Sequence, residues 1–348
     1  MGRSFWLHVL AKGLFFICAE YKQSEPVIHS NTFELFAVAL GGENRMMNQI
    51  TPGPRRLTHI VTEQQSGKSV FVILRYGVGL SGTVLRRIKW LEDGILLDGQ
   101  RVHTDVRPRA GQILSVRLSD PTAETDIPPV DLPLDIVCED RDLVVVNKAP
   151  GMPSHPGPGH WGDSLGNALG HHWQKTDPFA LFHPVHRLDK GTSGLLVVAK
   201  HPFAQEILKN QLHTPDFRRV YLAICDGTPV PATGTIDVPI RRADSSVLKR
   251  ECAPEGMRAV THYRTLRTMG DRALVELTLE TGRTHQIRVH MAHIGCPLTG
   301  DFLYGTEQPD LIARPALHSA RLSLRHPVTG EKLDFSVPLP ADLAALVE

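Results

Sequence analysis

The chain has 348 residues, of which 41% are hydrophobic and 22% charged, and its formal net charge is +1. This composition is typical of a soluble globular protein. The chain is long enough for two domains. Its five cysteines are scattered and odd in number, without a Cys-x-x-Cys pair, which argues against a disulfide framework and a cysteine zinc site. We therefore expect a protein of the reducing cytoplasm.

Residues 1–54 have the character of an amino-terminal extension. An opening apolar stretch suggests a signal peptide, but His8 and Lys12 interrupt it. The unbroken apolar part, residues 13–19, is too short to span a bilayer. Met46 lies just before the first segment that resembles a domain, so we expect translation to start near it. The preceding residues are then expected to have no function and no membrane anchor.

Residues 55–118 carry eleven lysines and arginines against five acidic residues, a net charge of +6. Such an excess is typical of a segment that binds a polyanion. Within it, residues 81–89 have apolar side chains at helical spacing and basic side chains on another face. The basic residues are Arg86, Arg87 and Lys89. Asp98 and Gly99 predict the turn of a β-hairpin over residues 94–102.

The helix, the hairpin and a later turn at residues 108–111 together resemble the alpha-L RNA-binding domain. The resemblance implies that residues 55–118 form a small α/β RNA-binding domain, with the three basic residues of the helix as RNA contacts. The alternative interpretation of the same charges is a solvated basic face on a generic small domain.

Residues 119–135 are acidic and rich in proline, which predicts an extended linker between two domains. After it, apolar runs of strand length alternate with amphipathic segments up to residue 345. The expected strands include residues 194–199, 218–225 and 273–280, and the expected helices cover residues 202–212 and 285–293. This alternation indicates an α+β domain over residues 136–345, built on a mixed sheet with flanking helices.

Asp189 is the first candidate for a reactive group. It stands in the sequence His-Arg-Leu-Asp-Lys-Gly-Thr-Ser-Gly at residues 186–194, directly before an apolar strand. The simpler interpretation is that Asp189 caps a turn or pairs with Arg187 or Lys190. The whole string, however, resembles the active-site motif of RluA-type pseudouridine synthases, and this resemblance implies that Asp189 is the catalytic residue.

Two further segments resemble motifs of the same family. In residues 217–223 the resemblance implies that Tyr221 lies against the target base, although a strand tyrosine is more often a core residue. In residues 281–290 it implies that Arg283 pairs with Asp189 and keeps it ionised, where the alternative is a solvated arginine. Three members of the first motif become candidates for contact with the base or the RNA: His186, Arg187 and Thr192.

The resemblance implies an RNA pseudouridine synthase with a mixed, mainly antiparallel sheet in its catalytic domain. It implies RNA as substrate, ribosomal RNA first and transfer RNA second, and a cytoplasmic, cofactor-free enzyme. We also expect a monomer. No metal site is expected, since His285, His290 and His293 lack a carboxylate or thiolate in register. Asp189 could act as a nucleophile at the sugar or as a base toward a sugar proton.

Two other functions remain possible at this point. The first is a non-catalytic RNA-binding or ribosome-assembly protein on the same scaffold, although the three motif residues of the expected site are intact. The second is a hydrolase that removes uracil, which a single carboxylate beside an arginine disfavours because glycoside hydrolysis ordinarily uses a carboxylate pair.

Overall fold

A four-stranded antiparallel sheet forms the first part of the computed structural model, which describes residues 53–119 and 125–348. The strand order in this sheet is β1-β4-β2-β3. Its elements are β1 (Arg56–Ile60), α1 (Val70–Val72) with a following π-helical turn (Ile73–Gly77), α2 (Gly82–Ile88), β2 (Ile95–Leu97), β3 (Gln100–Arg101) and β4 (Ile113–Arg117). The helices pack on the sheet through a buried apolar cluster, so this segment has a core of its own.

Two local predictions in this module are confirmed. Helix α2 begins after Ser81, whose hydroxyl accepts a hydrogen bond from the Val84 amide at 3.2 Å and so caps the helix. The hairpin of β2 and β3 turns at Asp98 and Gly99, which have φ values of 49° and 83°. Two successive positive φ values match the twist of a two-residue hairpin and explain the Asp-Gly pair.

The second sheet has ten strands and is mixed but mainly antiparallel, as predicted. Its central path runs β10-β13-β14-β9-β15-β8-β6-β5, with β16 beside β15 and β7 beside β8. The strands are β5 (Ile136–Glu139), β6 (Leu143–Lys148), β7 (His183–Pro184), β8 (Ser193–Ala199), β9 (Arg218–Asp226), β10 (Thr233–Asp237), β13 (Val260–Met269), β14 (Arg272–Leu279), β15 (Leu317–Arg325) and β16 (Lys332–Ser336). The parallel pair within this sheet joins β15 to β8.

Four helices and a separate hairpin complete this part of the chain. The helices are α3 (Leu165–Thr176), α4 (Pro202–Gln211), α5 (Gln286–His293) and α6 (Ala341–Ala344), and the hairpin pairs β11 (Ile240–Arg242) with β12 (Arg250–Cys252). The bounds of α4, α5, β8, β9 and β14 lie within one residue of those predicted. The α+β class is therefore confirmed.

Strand β8 shows how the core places the expected site. All of its residues are buried, because both faces of the sheet are covered at this position. Leu196 and Val198 pack into one apolar cluster, and Leu195 and Val197 pack into another on the opposite face. The residues just before β8 are thereby held at the edge of a rigid sheet.

The small module contacts the larger part of the chain directly. Arg55 donates two hydrogen bonds to Asp142, at 2.6 and 2.9 Å, and Phe203 of α4 packs into the core of the module. In the segment predicted as a linker, residues 120–124 lie outside the described residues. Further along it, the Val130 amide donates to the Asn167 carbonyl, and the Asn167 side chain donates to the Pro128 carbonyl. The described part of this segment is thus held against α3.

Within residues 53–119 and 125–348, no helix combines the length and apolar character needed to cross a bilayer.

Candidate active site around Asp189

Asp189 lies in the turn between β7 and β8, and the backbone of this turn is held from two sides. The Thr192 amide donates to the Asp189 carbonyl at 3.0 Å. One residue before the aspartate, the Leu188 amide donates to the Ser154 hydroxyl at 3.1 Å, and that hydroxyl donates to the Leu188 carbonyl at 2.7 Å. The loop that contains Ser154 therefore fixes the backbone position of the residue before Asp189.

Lys148, at the end of β6, ties the same two loops together. Its buried ammonium donates to the carbonyls of Ala149 and Met152 at 2.8 Å and to that of Lys190 at 3.4 Å. Burial lowers the pKa of Lys148 to about 7, although the charge of Asp189 partly counters this. Lys148 thus links the loop that contains Met152 to the backbone directly after Asp189.

The Asp189 carboxylate is 18% exposed and faces one arginine and one histidine. Arg288 Nη1 lies 3.8 Å from one carboxylate oxygen, and His285 Nε2 lies 3.9 Å from the same oxygen. The expected partner, Arg283, is not in this position. Its Nε donates to the Arg258 carbonyl at 3.0 Å. The predicted pairing of Arg283 with Asp189 is therefore wrong, and Arg288 is the arginine beside the carboxylate.

The start of α5 explains this correction. Gln286 accepts a hydrogen bond from the Arg283 amide at 2.9 Å, so Arg283 belongs to the turn that precedes the helix. His285 has a φ of 58° and precedes the first helical residue. Arg288 follows it by three positions, and both side chains lie within 4 Å of the same Asp189 oxygen. This spacing was visible in the sequence and could have identified Arg288.

A second carboxylate holds Arg288 in place. Its Nε and Nη2 each donate to the fully buried Asp301 at 2.6 Å, which leaves Nη1 toward Asp189. Burial alone would lower the pKa of Arg288, but the hydrogen bonds with Asp301 and the charges of Asp301 and Asp189 outweigh burial and raise it. Arg288 is a permanent cation with a fixed orientation.

A cavity of about 210 Å³ opens beside Asp189. Tyr221, on β9, is 4% exposed and lines it, and burial raises the pKa of its hydroxyl. The other four residues predicted here from the motifs also line the cavity: His186, Arg187, Thr192 and Arg283. The structure therefore brings together one carboxylate, one aromatic ring and several cations in a space large enough for a flat ring.

Two of these lining residues have mainly structural contacts. The Nε2 atom of His186 accepts a hydrogen bond from the Val197 amide at 3.4 Å, and its ring packs edge-on against Phe217. Burial, aided by the charge of Arg219, lowers the pKa of His186 well below its ordinary value, so this ring is neutral. Thr192 is buried, whereas Arg187 is exposed at the rim.

Arg86 and Arg87 of α2 and Lys89, which directly follows this helix, do not line this cavity. Arg86 and Arg87 are exposed, and Lys89 lies with its ammonium 4.8 Å from the centroid of the Trp90 ring. Arg87 lines a different cavity, of about 440 Å³, between α2 and α4. Contact of these residues with RNA stays a prediction.

Sequence reasoning missed Arg219, which also lines the cavity around Asp189. It stands two residues before Tyr221 on the same strand, and side chains at this spacing share one face of a sheet. That alternation was the available signal.

Comparison with known proteins places these residues in a family. A family model described as RNA pseudouridylate synthase matches residues 142–293. The uncharacterized RNA pseudouridine synthase YjbO of Bacillus subtilis is 39% identical over 271 residues, which are 78% of this chain and 95% of that protein. A second relative from that organism, the uncharacterized RNA pseudouridine synthase YlyB, is 42% identical over 264 residues, 75% of this chain and 87% of the relative. The ribosomal large subunit pseudouridine synthase D of Xanthomonas campestris pv. campestris is 40% identical over 280 residues, 75% of this chain and 83% of its own.

Proposed function

Because this chain belongs to the RNA pseudouridine synthase family and is an isomerase that acts on RNA, we propose that Asp189 is its catalytic residue and that its substrate is ribosomal RNA. The observation that carries this proposal is the pairing of one partly buried carboxylate with the fixed Arg288 cation, at the side of a cavity walled by Tyr221. The relative named for the large ribosomal subunit supports ribosomal RNA as the target.

The chemistry requires the target uridine to leave its stack, since a stacked nucleotide offers no access to its glycosidic bond. The bond between N1 and the ribose breaks, the base turns, and C5 bonds to the same ribose carbon. C5 then loses its proton, and N1 gains a proton. All atoms of the base stay in the site. Asp189 acts either as the nucleophile at the ribose or as the base that removes a ribose proton. Both roles require an ionised Asp189 carboxylate, and the positive charge of the neighbouring Arg288 stabilises it.

Tyr221 supplies the aromatic wall against which the uracil ring lies. Arg187 and Arg283, at the rim, are suited to the phosphates that flank the target nucleotide. The isomerisation has no redox step and releases no group from the site, so the proposed reaction needs no redox cofactor. We further propose that the enzyme is a cytoplasmic monomer without a metal.

Residues 55–118 form the RNA-binding module of this enzyme. Their net charge of +6 and the exposed Arg86 and Arg87 support an electrostatic contact with the RNA backbone. Lys89 extends the same basic face. The direct ion pair between Arg55 and Asp142 joins the module to the catalytic domain, so RNA bound to the module would be held close to that domain.

The test is to express the wild type and Asp189→Asn in cells that lack their own copy and to map pseudouridine in total RNA by carbodiimide-dependent primer-extension stops. A site in ribosomal RNA that appears only with the wild type supports the proposal. A site in transfer RNA alone overturns the substrate. No Asp189-dependent site in any RNA favours the RNA-binding protein, and free uracil favours the hydrolase.

A further inference from the structure

Arg219 is a buried cation without a partner in the part of the chain that the structure describes. Four arginines are buried there. Three of them hold a carboxylate: Arg117 pairs with Asp93, Arg288 with Asp301, and Arg314 with Asp342. Arg219 is 4% exposed, and its Nε is buried without a hydrogen-bond partner. Since an unpaired buried charge is costly, its position calls for an explanation.

The neighbours of Arg219 hold its guanidinium in the cavity without neutralising it. Its central carbon lies 5.8 Å from the centroid of the Phe217 ring. Gly282 leaves the space that Arg219 occupies, because a Cβ atom there would lie 3.2 Å from Nη1. His186 is nearby and neutral, for the reason given above. The guanidinium therefore keeps free donors in the cavity that Asp189 and Tyr221 also line.

The depth of Arg219 indicates which part of a nucleotide it meets. An arginine donates hydrogen bonds and cannot accept them, so its ligand is a phosphate or a carbonyl oxygen. Arg187 is exposed and Arg283 is half-buried, so these two suit the phosphates at the rim. Arg219, buried two residues from Tyr221 on the same strand face, suits the edge of the base.

We propose that Arg219 selects uracil by donating a hydrogen bond to a carbonyl oxygen of the extruded base. This inference rests on the function proposed above. Uracil carries carbonyl oxygens at positions 2 and 4, whereas cytosine carries an amino group at position 4. A donor facing that amino group would have no acceptor, and a site that leaves a buried polar group unpaired discriminates strongly against the wrong ligand.

The turn of the base brings each of its two carbonyl oxygens to the same place. Half a rotation about the line through N3 and C6 exchanges N1 with C5, as the reaction requires, and it exchanges O2 with O4. One fixed donor therefore meets a carbonyl oxygen both before and after the turn of uracil. Cytosine would present its amino group to Arg219 in one of the two orientations, so a single arginine can exclude it at one step or the other.

The experiment combines a change in the protein with a change in one atom of the substrate. The RNA fragment that contains the mapped site is made with uridine, 4-thiouridine or 2-thiouridine at the target. Single-turnover rates are measured by nucleoside mass spectrometry for the wild type, Arg219→Met and Arg219→Lys. Arg218→Met is the matched control, because Arg218 is the exposed neighbour on the other face of the strand.

On uridine, we expect Arg219→Met to react about 10- to 100-fold more slowly, the range for a lost hydrogen bond to a charged group. Each sulfur, a weak acceptor, should slow the wild type and Arg218→Met but leave Arg219→Met at its uridine rate. If the penalties of sulfur and of Arg219→Met multiply, or if Arg219→Met reacts like the wild type, the inference is overturned.

A stability measurement and a second variant distinguish loss of the Arg219 hydrogen bond from loss of the fold. Thermal melting checks the fold of Arg219→Met. If that variant is unfolded, Arg219→Lys takes its place, and the sulfur penalty should shrink because an ammonium lacks the planar fork of the guanidinium; an unchanged penalty overturns the inference. A wild type that forms no pseudouridine refutes the proposed function itself, whereas an active wild type with multiplying penalties refutes only the role of Arg219.

Discussion

Arg288 Nη1 lies 3.8 Å from the Asp189 carboxylate, while Nε and Nη2 of the same guanidinium donate to Asp301 at 2.6 Å. Asp301 is fully buried, so the arginine that faces the candidate catalytic residue is anchored from behind. Orientation of Arg288 and stability of the fold are therefore coupled at this position.

Arg288→Met tests that coupling. We expect it to abolish pseudouridine formation, because Asp189 loses its nearest permanent cation. It should also lower the free energy of unfolding by about 3–5 kcal/mol, because Asp301 becomes an unpaired buried charge. Urea denaturation and single-turnover rates measure the two effects.

The double variant Arg288→Met with Asp301→Leu separates the two effects. Removal of the buried carboxylate should restore most of the lost stability, since apolar replacement of a buried ion pair is often neutral. The rate should stay low, because Asp189 still lacks the cation. Recovery of both rate and stability would contradict a role of Arg288 at Asp189.

Lys148→Met tests the buried ammonium that links the loops around Asp189. The pKa of Lys148 is about 7 in the folded protein, below the ordinary lysine value of 10.5 that applies to the unfolded chain. Between these values the unfolded chain binds more protons, so the cost that burial of this lysine imposes on folding falls as pH rises. The stability of the wild type relative to Lys148→Met should rise from pH 7 to pH 10, measured by urea denaturation.

Lys175→Met is a suitable control for this series, because Lys175 is exposed on α3. Its stability difference from the wild type should show no comparable rise with pH. A pH-independent difference for Lys148→Met would mean that the lysine is not protonated differently in the two states.

Arg55→Met tests the contact between the small module and the larger part. Burial opposes ionisation of Asp142, but hydrogen bonds from His201 and Arg55 outweigh it and hold its pKa well below the ordinary value. Loss of Arg55 should destabilise the contact by about 2 kcal/mol, the range for lost hydrogen bonds to a charged group, and speed amide exchange in β1 and β4. The exposed Arg107→Met should exchange like the wild type, and equal exchange in Arg55→Met would refute the anchoring role.

Neutralisation of Arg86, Arg87 and Lys89 to glutamine tests the proposed RNA face. Each lost phosphate contact should reduce the slope of log affinity against log salt by about 0.7–0.9. Fluorescence anisotropy with the mapped RNA at several salt concentrations measures it, and Lys332→Gln, an exposed change on β16, serves as control. An unchanged slope in the triple variant would remove α2 from the RNA-binding surface.

Local features of the sequence determined much of this protein. The cap at Ser81 with the apolar spacing of α2, the Asp-Gly turn at residues 98–99 and the fully apolar β8 depend on neighbours in the chain, so they were predictable. The family was also readable from the motif around Asp189, because that motif is a continuous string of residues.

Only the tertiary structure decided which charged groups meet. The pairing of Arg288 rather than Arg283 with Asp189 depends on how α5 is placed against the turn before β8, about one hundred residues away in the chain. The isolation of Arg219 and the contact of Arg55 with Asp142 likewise depend on segments that meet only after folding. Charges pair strongly only at contact distance and are screened by salt beyond about 8–10 Å, so the sequence limits the candidates and the packing selects among them.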